Sequence, residues 1–322
     1  NYDDSAWQDF RLWDTWGGYD KVAWFRTAIR VPESFRGGQV ALKFLVGPRG
    51  GGGSSAGTLL YLDGKPVQGI DIWHEEALLE PALCQKSELQ IALKAWSGVL
   101  VPPKFRTFKL AQLLLVDMAV DKFCFVIDTV RRCALLLDDN DLRRIRLTKL
   151  LNETFQRVDF LNYKEESYYA SIRNALDYIQ GQLDELAKTE EIKPSVYGVG
   201  HSHIDMAWLW RLSATREKAS RTFSTVLNLM KQYPEYRYMH SSPQLYQFLK
   251  EDYPEIYEQV KEKIAEGSWE ITGGMWVEPD TNIPSGESLV RQFVYGKRFI
   301  REEFGKETHL VWLPDVFGYS AA

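Results

Sequence analysis

Ser195-Val196-Tyr197-Gly198-Val199-Gly200-His201-Ser202-His203-Ile204-Asp205 passes from an apolar run straight into two histidines and an aspartate at every second position. In an extended chain alternate side chains share a face, so His201, His203 and Asp205 can converge on one point. Imidazole nitrogen with carboxylate oxygen suits a divalent metal such as Zn²⁺. A bare H-x-H-x-D also arises among solvated or capping polar residues, so its position matters. The lead is short, continuous and bounded by Pro194, which reads as a buried parallel strand with its polar residues at the C-terminal end. That end is where α/β sheets and barrels build their sites.

Downstream, short strands alternate with helices. The pattern predicts a strand over Ser195–Gly200 and a helix from near Ser213 that ends before Pro234, with Thr222, Val226, Leu229 and Met230 on or near its apolar face. A strand over Tyr236–Met239 then precedes a helix over Gln244–Ala265. A strand over Trp269–Thr272 precedes a helix capped at Ser285 and running to Phe304, and a fourth strand, Leu310–Leu313, ends at Pro314-Asp315. Repeated βα units predict a parallel sheet with right-handed crossovers. Four strands in sequence order do not close a barrel, which needs about seven or eight, so the expectation is an incomplete α/β barrel in a piece of a longer protein.

Upstream, Trp7 to about Asp117 reads as β structure. Lys21–Val31, Gln39–Val46, Leu59–Leu62 before the Asp63-Gly64 turn, and Ser87–Trp96 predict a small antiparallel sandwich. Gly47 to Ser55 cannot bury apolar area and is expected to be a flexible loop. Of the eleven tryptophans, Trp7, Trp13, Trp16 and Trp24 are expected in the sandwich core rather than on a sugar-stacking platform. Between Val120 and Glu191 the period becomes helical. Leu147, Leu150, Leu151, Phe155 and Val158 trace one face, and Tyr169, Ile172, Ala175, Ile179 and Leu183 another. The division is therefore a β sandwich over 1–117, a helical linker over 118–193 and the first part of a barrel over 194–322.

With 322 residues, 45% of them hydrophobic and 26% charged, the chain can support two domains with sizeable cores. A net charge of −5 gives no reason to expect nucleic acid or an anionic membrane as partner, and no apolar run of about 18 residues predicts a span. The start, Asn1-Tyr2-Asp3-Asp4, shows no basic and apolar leader. Cys84, Cys124 and Cys133 are odd in number and lack ligand spacing, which fits reduced thiols in a cytoplasmic protein. The Asn152-Glu153-Thr154 sequon lies in a helical pattern and reads as chance.

If the βα units are right, one rim gathers His203 and Asp205, His240 and Ser241, Gly273-Gly274-Met275-Trp276 with Glu278 and Asp280, and Asp315. Asp315 follows its strand directly; the plainer alternative is an Asp that caps the next turn. Gly273-Gly274 suits either a close ligand or an ordinary turn.

Four ordered motifs carry a family resemblance. His201-Ser202-His203-Ile204-Asp205-Met206-Ala207-Trp208-Leu209-Trp210, Gly274-Met275-Trp276-Val277-Glu278-Pro279-Asp280, Pro284-Ser285-Gly286-Glu287 and Trp312-Leu313-Pro314-Asp315-Val316-Phe317-Gly318-Tyr319-Ser320 closely resemble the class II α-mannosidases of glycoside hydrolase family 38. The cytosolic and vacuolar subgroup looks nearest, with a jelly-roll-like β domain before a catalytic barrel of the (β/α)7 type. The N-terminal match rests on Trp24-Phe25-Arg26 and Tyr61-Leu62-Asp63-Gly64.

The resemblance implies a retaining exo-α-mannosidase with one divalent ion, Zn²⁺ or in some relatives Co²⁺, acting on mannose-containing oligosaccharides, with homo-oligomerisation left open. By the same resemblance His203 and Asp205 are metal ligands, and Asp315 is both ligand and nucleophile. Trp208 and Phe317 match aromatic positions of the mannose subsite, Trp276 and Asp280 are assigned to substrate binding, and Glu278 shares with Asp280 a subsite or metal-supporting place. His201 is a supporting residue. The family's fourth ligand, a histidine, and its acid/base carboxylate lie beyond position 322, so residues 1–322 alone are expected to be inactive.

Two other readings compete. H-x-H at the end of a first barrel strand also opens amidohydrolase-like metal hydrolases, but these need further histidines on later strands, and the fourth strand here ends in Asp315. A carbohydrate-binding module over residues 1–117, with the rest as scaffold, is the non-enzymatic alternative.

Overall fold

The computed structural model describes residues 3–47, 56–99, 105–189 and 195–319; most of the glycine-rich loop expected over Gly47 to Ser55 lies outside them. Among the described residues nine strands form the β-rich N-terminal part: β1 (Thr15–Gly17), β2 (Val22–Ile29), β3 (Gln39–Leu45), β4 (Gly57–Leu62), β5 (Lys65–Ile70), β6 (Glu76–Leu78), β7 (Leu89–Trp96), β8 (Phe105–Thr107) and β9 (Leu110–Val116), with the short helix α1 (Pro81–Cys84) before β7. They make antiparallel sheets of order β2-β7-β4-β5 and β6-β3-β9, and a small β1-β8 pair. Strict alternation in β7 buries Leu89, Ile91, Leu93 and Ala95, and these meet Val40, Leu42 and Phe44 of β3 in one core.

Only Trp16 of the four tryptophans expected in this core is buried, donating its indole N–H to the Val46 carbonyl at 3.0 Å. Trp7, Trp13 and Trp24 are exposed. The pleat explains Trp24: its neighbour Phe25 takes the inward position against Trp16 and Phe108, which turns Trp24 outward beside Tyr61 and Lys94.

Three helices follow, α2 (Met118–Leu136), α3 (Leu142–Phe155) and α4 (Glu166–Thr189). Asp117 and Asp141 cap the first two by accepting backbone N–H bonds. Phe123, Val130, Leu150, Ile172, Ala175 and Ile179 close a core of their own.

The last part contains α5 (Leu212–Gln232), β10 (Tyr238–His240), α6 (Pro243–Asp252), α7 (Pro254–Glu266), β11 (Trp269–Ile271) and α8 (Gly286–Phe304). One helix was expected where α6 and α7 stand. Pro254 has no N–H and disfavours helical backbone at Tyr253, whose φ of −140° breaks the run. Strands β10 and β11 pair in parallel, and Gly200 alone extends the pairing through a bridge to Tyr238.

Two of the four predicted parallel strands are therefore absent among the described residues. Ser195–Val199 is held only at its end, by Gly200, and Val196 and Tyr197 are 90% and 93% exposed instead of buried. Leu310–Leu313 is irregular, with Leu310 and Val311 exposed. Strand propensity needs a partner edge and a packed face, and neither segment has both here.

The β domain rests on α5 through specific polar contacts. The Gly69 N–H donates to Thr225 Oγ1 at 3.0 Å, Asn228 reaches Gln68, and Lys94 meets Glu217 at 2.6 Å. A Cβ added at Gly69 would lie 3.0 Å from the Arg221 carbonyl, so the helix can come this close only against glycine.

Candidate metal centre

The chain leaves the sheet after Gly200, and buried Ile204 then pins the segment between His203 and Asp205. Thr215 at the start of α5 donates to the Asp205 carbonyl at 3.1 Å and accepts from Trp210 Nε1 at 2.9 Å. Asp205 is thus fixed through its own backbone.

Asp315 arrives from the segment beyond α8, and the three side chains meet. His203 Nε2 lies 3.3 Å from Asp205 Oδ1 and 3.7 Å from Asp315 Oδ2, and one ligand atom from each of the three falls within 4.8 Å of the others. A tetrahedral shell with bonds of about 2.0–2.1 Å has edges of roughly 3.3 Å, so the spacing suits a Zn²⁺-sized ion. One nitrogen and two carboxylate oxygens are a fitting donor set for such a cation.

Glu278 decides which nitrogen of His203 faces the cluster. His203 Nδ1 donates to Glu278 Oε2 at 2.6 Å, which leaves Nε2 with its lone pair toward the two aspartates. The Glu278 side chain is only 8% exposed, and its other oxygen accepts from Ser241 Oγ just after β10. Two glycines past β11, Gly273 and Gly274 with φ of +87° and +74°, turn the chain so that Glu278 reaches His203.

His201 does not join the cluster. Its Nε2 accepts from Trp312 Nε1 at 3.0 Å and its ring packs 5.6 Å from that of His240. The expected convergence of all three alternating residues assumed a flat strand, and the chain is no longer a strand at that point. His240 is fully buried among Phe223, Tyr238 and Tyr246, and burial pushes its imidazole down to about 3. Burial also lowers His201. A neutral His240 packed among aromatic rings, apart from the three grouped donors, does not supply the later-strand histidine that the amidohydrolase alternative needs.

The residues assigned to sugar binding differ in setting. Trp208 is exposed, 5.5 Å from the Trp210 ring, on the same wall as Asp205, and Phe317 is exposed two residues after Asp315. The Trp276 indole donates to Gln244 Oε1 and packs on Phe299, while Asp280 Oδ1 accepts from the Asn282 and Ile283 N–H groups. These last two have structural tasks already. The sequence pattern named Glu278 and Ser241 as rim residues without revealing that they form a chain to His203. It passed over Lys218 and Arg221, which read simply as helical charges.

Comparison with known proteins matches two segments of the chain to family models. Residues 193–322 match the model described as glycosyl hydrolases family 38 N-terminal domain, and residues 2–112 match that described as alpha-mannosidase, jelly roll domain. Alpha-mannosidase G of Dictyostelium discoideum is 51% identical over 144 residues, 42% of this chain and 13% of that protein. The alpha-mannosidase of Saccharomyces cerevisiae is 41% identical over 58% of this chain and 16% of its own length. Alpha-mannosidase 2C1 of Homo sapiens is 30% identical over 99% of this chain, yet the chain spans only 31% of that relative. Two α-mannosidase domains matched in order, with the grouped His203, Asp205 and Asp315 inside the second, place this chain in glycosyl hydrolase family 38.

Proposed function

We propose that the chain is the N-terminal domain and metal-bearing part of a retaining, exo-acting α-mannosidase that removes terminal α-linked mannose from oligosaccharides. The observation that carries this reading is the meeting of His203 Nε2, Asp205 Oδ1 and Asp315 Oδ2 from segments far apart in sequence. We read 1–117 as the β domain, 118–193 as a helical linker and 194–322 as the opening of a (β/α)7 barrel, with β10, β11 and the Gly200 bridge as its first parallel contacts. A cytoplasmic setting belongs to the same reading and is supported by three unpaired cysteines.

A divalent ion, Zn²⁺ on the donor set, held by His203, Asp205 and Asp315 would supply Lewis-acid chemistry and a docking point for sugar hydroxyls. Asp315 turns Oδ2 toward His203, so Oδ1 is the oxygen left to attack the anomeric carbon. The C–O bond to the leaving sugar breaks as a mannosyl ester forms on Asp315, and a second carboxylic acid gives its proton to the departing oxygen. That carboxyl, deprotonated, then activates the water that frees mannose with retained configuration. Trp208 and Phe317 offer flat apolar faces to the sugar, and Trp276 and Asp280 shape the subsite from behind.

The test is Asp315→Ala in the active enzyme, assayed on an aryl α-mannoside. Turnover should fall by roughly 10³-fold or more. Near-normal turnover would remove Asp315 from the chemistry and the reading with it.

A further inference from the structure

Beside the grouped donors lies a cavity of about 920 Å³ with walls from two parts of the chain. That is within the range of small-molecule sites, roughly 300–1,000 Å³. Trp208, Lys218 and Arg221 line it on the side of the metal segment, and Asp71, His74 and Trp96 line it from the β domain. Asp205 opens into the same space, so the cavity is continuous with the candidate centre.

Its polar groups are held in place yet unspent. The Arg221 guanidinium lies against Gly57, where an added Cβ would sit 2.7 Å from its nearest nitrogen. Among the described residues its guanidinium makes no hydrogen bond and no close ion pair; burial pushes it below its ordinary range, against the opposing charges of Glu217 and Asp71. Lys218 stands over the Trp210 ring at 4.4 Å, and burial lowers it too. Across the cavity, Asp71 Oδ1 accepts from the Trp73 and His74 N–H groups and pairs with His74 Nδ1 at 3.0 Å. That pairing fixes the loop and leaves Asp71 Oδ2 and His74 Nε2 as the atoms still to be used.

The charges are mixed, with Lys218 and Arg221 against Asp71, while Asp205 is committed to the grouped metal donors. A phosphate or carboxylate ligand would meet Asp71, whereas an uncharged polyhydroxylated ring can donate to that carboxylate and have its hydroxyl oxygens accept from the guanidinium. Trp96 lines the β-domain side, and Trp208, already placed in the mannose subsite, borders the cavity where the two sugars would join, so apolar and polar lining groups alternate as a sugar requires.

We propose that this interdomain cavity is the leaving-side sugar subsite, and that Asp71 and His74 of the β domain take part in selecting the glycan. The proposal rests on the mannosidase reading above and adds a role for a domain that carries no catalytic group. An aryl α-mannoside has no second sugar, so it bypasses the cavity's polar groups, while α-linked mannobiose needs them.

The experiment compares His74→Ala and Arg221→Met with the wild type in the active enzyme, reading the ratio of kcat/KM on α-mannobiose to kcat/KM on the aryl mannoside. His74 lies outside the hydrophobic core, and in its alanine variant Asp71 still accepts from the backbone N–H groups of Trp73 and residue 74, so the loop and the fold are kept even if Arg221→Met loosens the domain contact. Loss of a hydrogen bond to the second sugar should lower the ratio roughly tenfold in each variant. A ratio unchanged within about twofold in His74→Ala overturns the subsite. If the wild type cleaves neither substrate, the mannosidase reading itself has failed.

Discussion

Glu278 shows how much of the candidate centre depends on a residue that touches no metal. Its carboxylate accepts a hydrogen bond from His203 Nδ1–H and is itself steadied by Ser241, so the imidazole has one orientation and one tautomer. In Glu278→Gln the amide can still accept from one of the two donors but not from both, and His203 loses its fixed pose. Zn²⁺ affinity, measured by chelator competition, should drop by roughly 10–100-fold while the metal-free thermal midpoint stays close to that of the wild type. Equal affinity in the variant would show that the contact does not orient the ligand. His203, Asp205 and Asp315 were legible in the sequence through the motifs that resemble the family, while alternation alone marked His201 equally, which the structure turns to Trp312 instead. The pairing of His203 with Glu278 was not, since it joins residues from separate units and depends on the turn at Gly273 and Gly274.

At the scale of elements, α8 presses directly on the loop that delivers Glu278. A Cβ built on Gly296 would lie 2.3 Å from the Gly274 carbonyl oxygen and 2.8 Å from the Trp276 amide nitrogen, and both are backbone atoms that cannot swing aside. Gly296→Ala therefore has to move the helix or the loop. We expect a loss of about 1–3 kcal/mol in unfolding free energy, together with weaker Zn²⁺ binding because Glu278 shifts. A variant as stable as the wild type with unchanged metal affinity would contradict this packing. The helices were readable in advance, as the cap at Ser285 and the end at Phe304 show, because long amphipathic periods are a local signal. The strands were less so: Ser195–Val199 and Leu310–Leu313 have the composition of buried strands but pair with little among the described residues. Propensity alone does not make a ladder.

Across the whole molecule, the described residues form three hydrophobic cores, the first and last along the chain joined by the polar contacts of the β domain with α5, and the last carries an acid-sensitive element. His240 is enclosed by Phe223, Tyr238 and Tyr246, with neither ring nitrogen hydrogen-bonded among the described residues. Burial, reinforced by the imidazoles of His201 and His203, holds it down to about 3. In the unfolded chain the same ring titrates near 6.5, with the usual approximate scatter. Between those values the unfolded state carries the extra proton, so stability is complete above about pH 6.5 and declines as the pH falls toward 3. No helix among the described residues is long and apolar enough to cross a membrane; urea unfolding at each pH supplies the readout. His240→Phe keeps an aromatic ring in an aromatic site and removes the titration. Going from pH 7 to about pH 4.5, the wild type should lose roughly 2–3 kcal/mol more unfolding free energy than the variant, other titrations being shared. Tryptophan fluorescence reports on this core, because Trp269 sits 5.0 Å from Phe223 within it. Parallel pH profiles for the two proteins would mean that His240 takes up its proton without unfolding, through a local opening of the aromatic cluster that surrounds it.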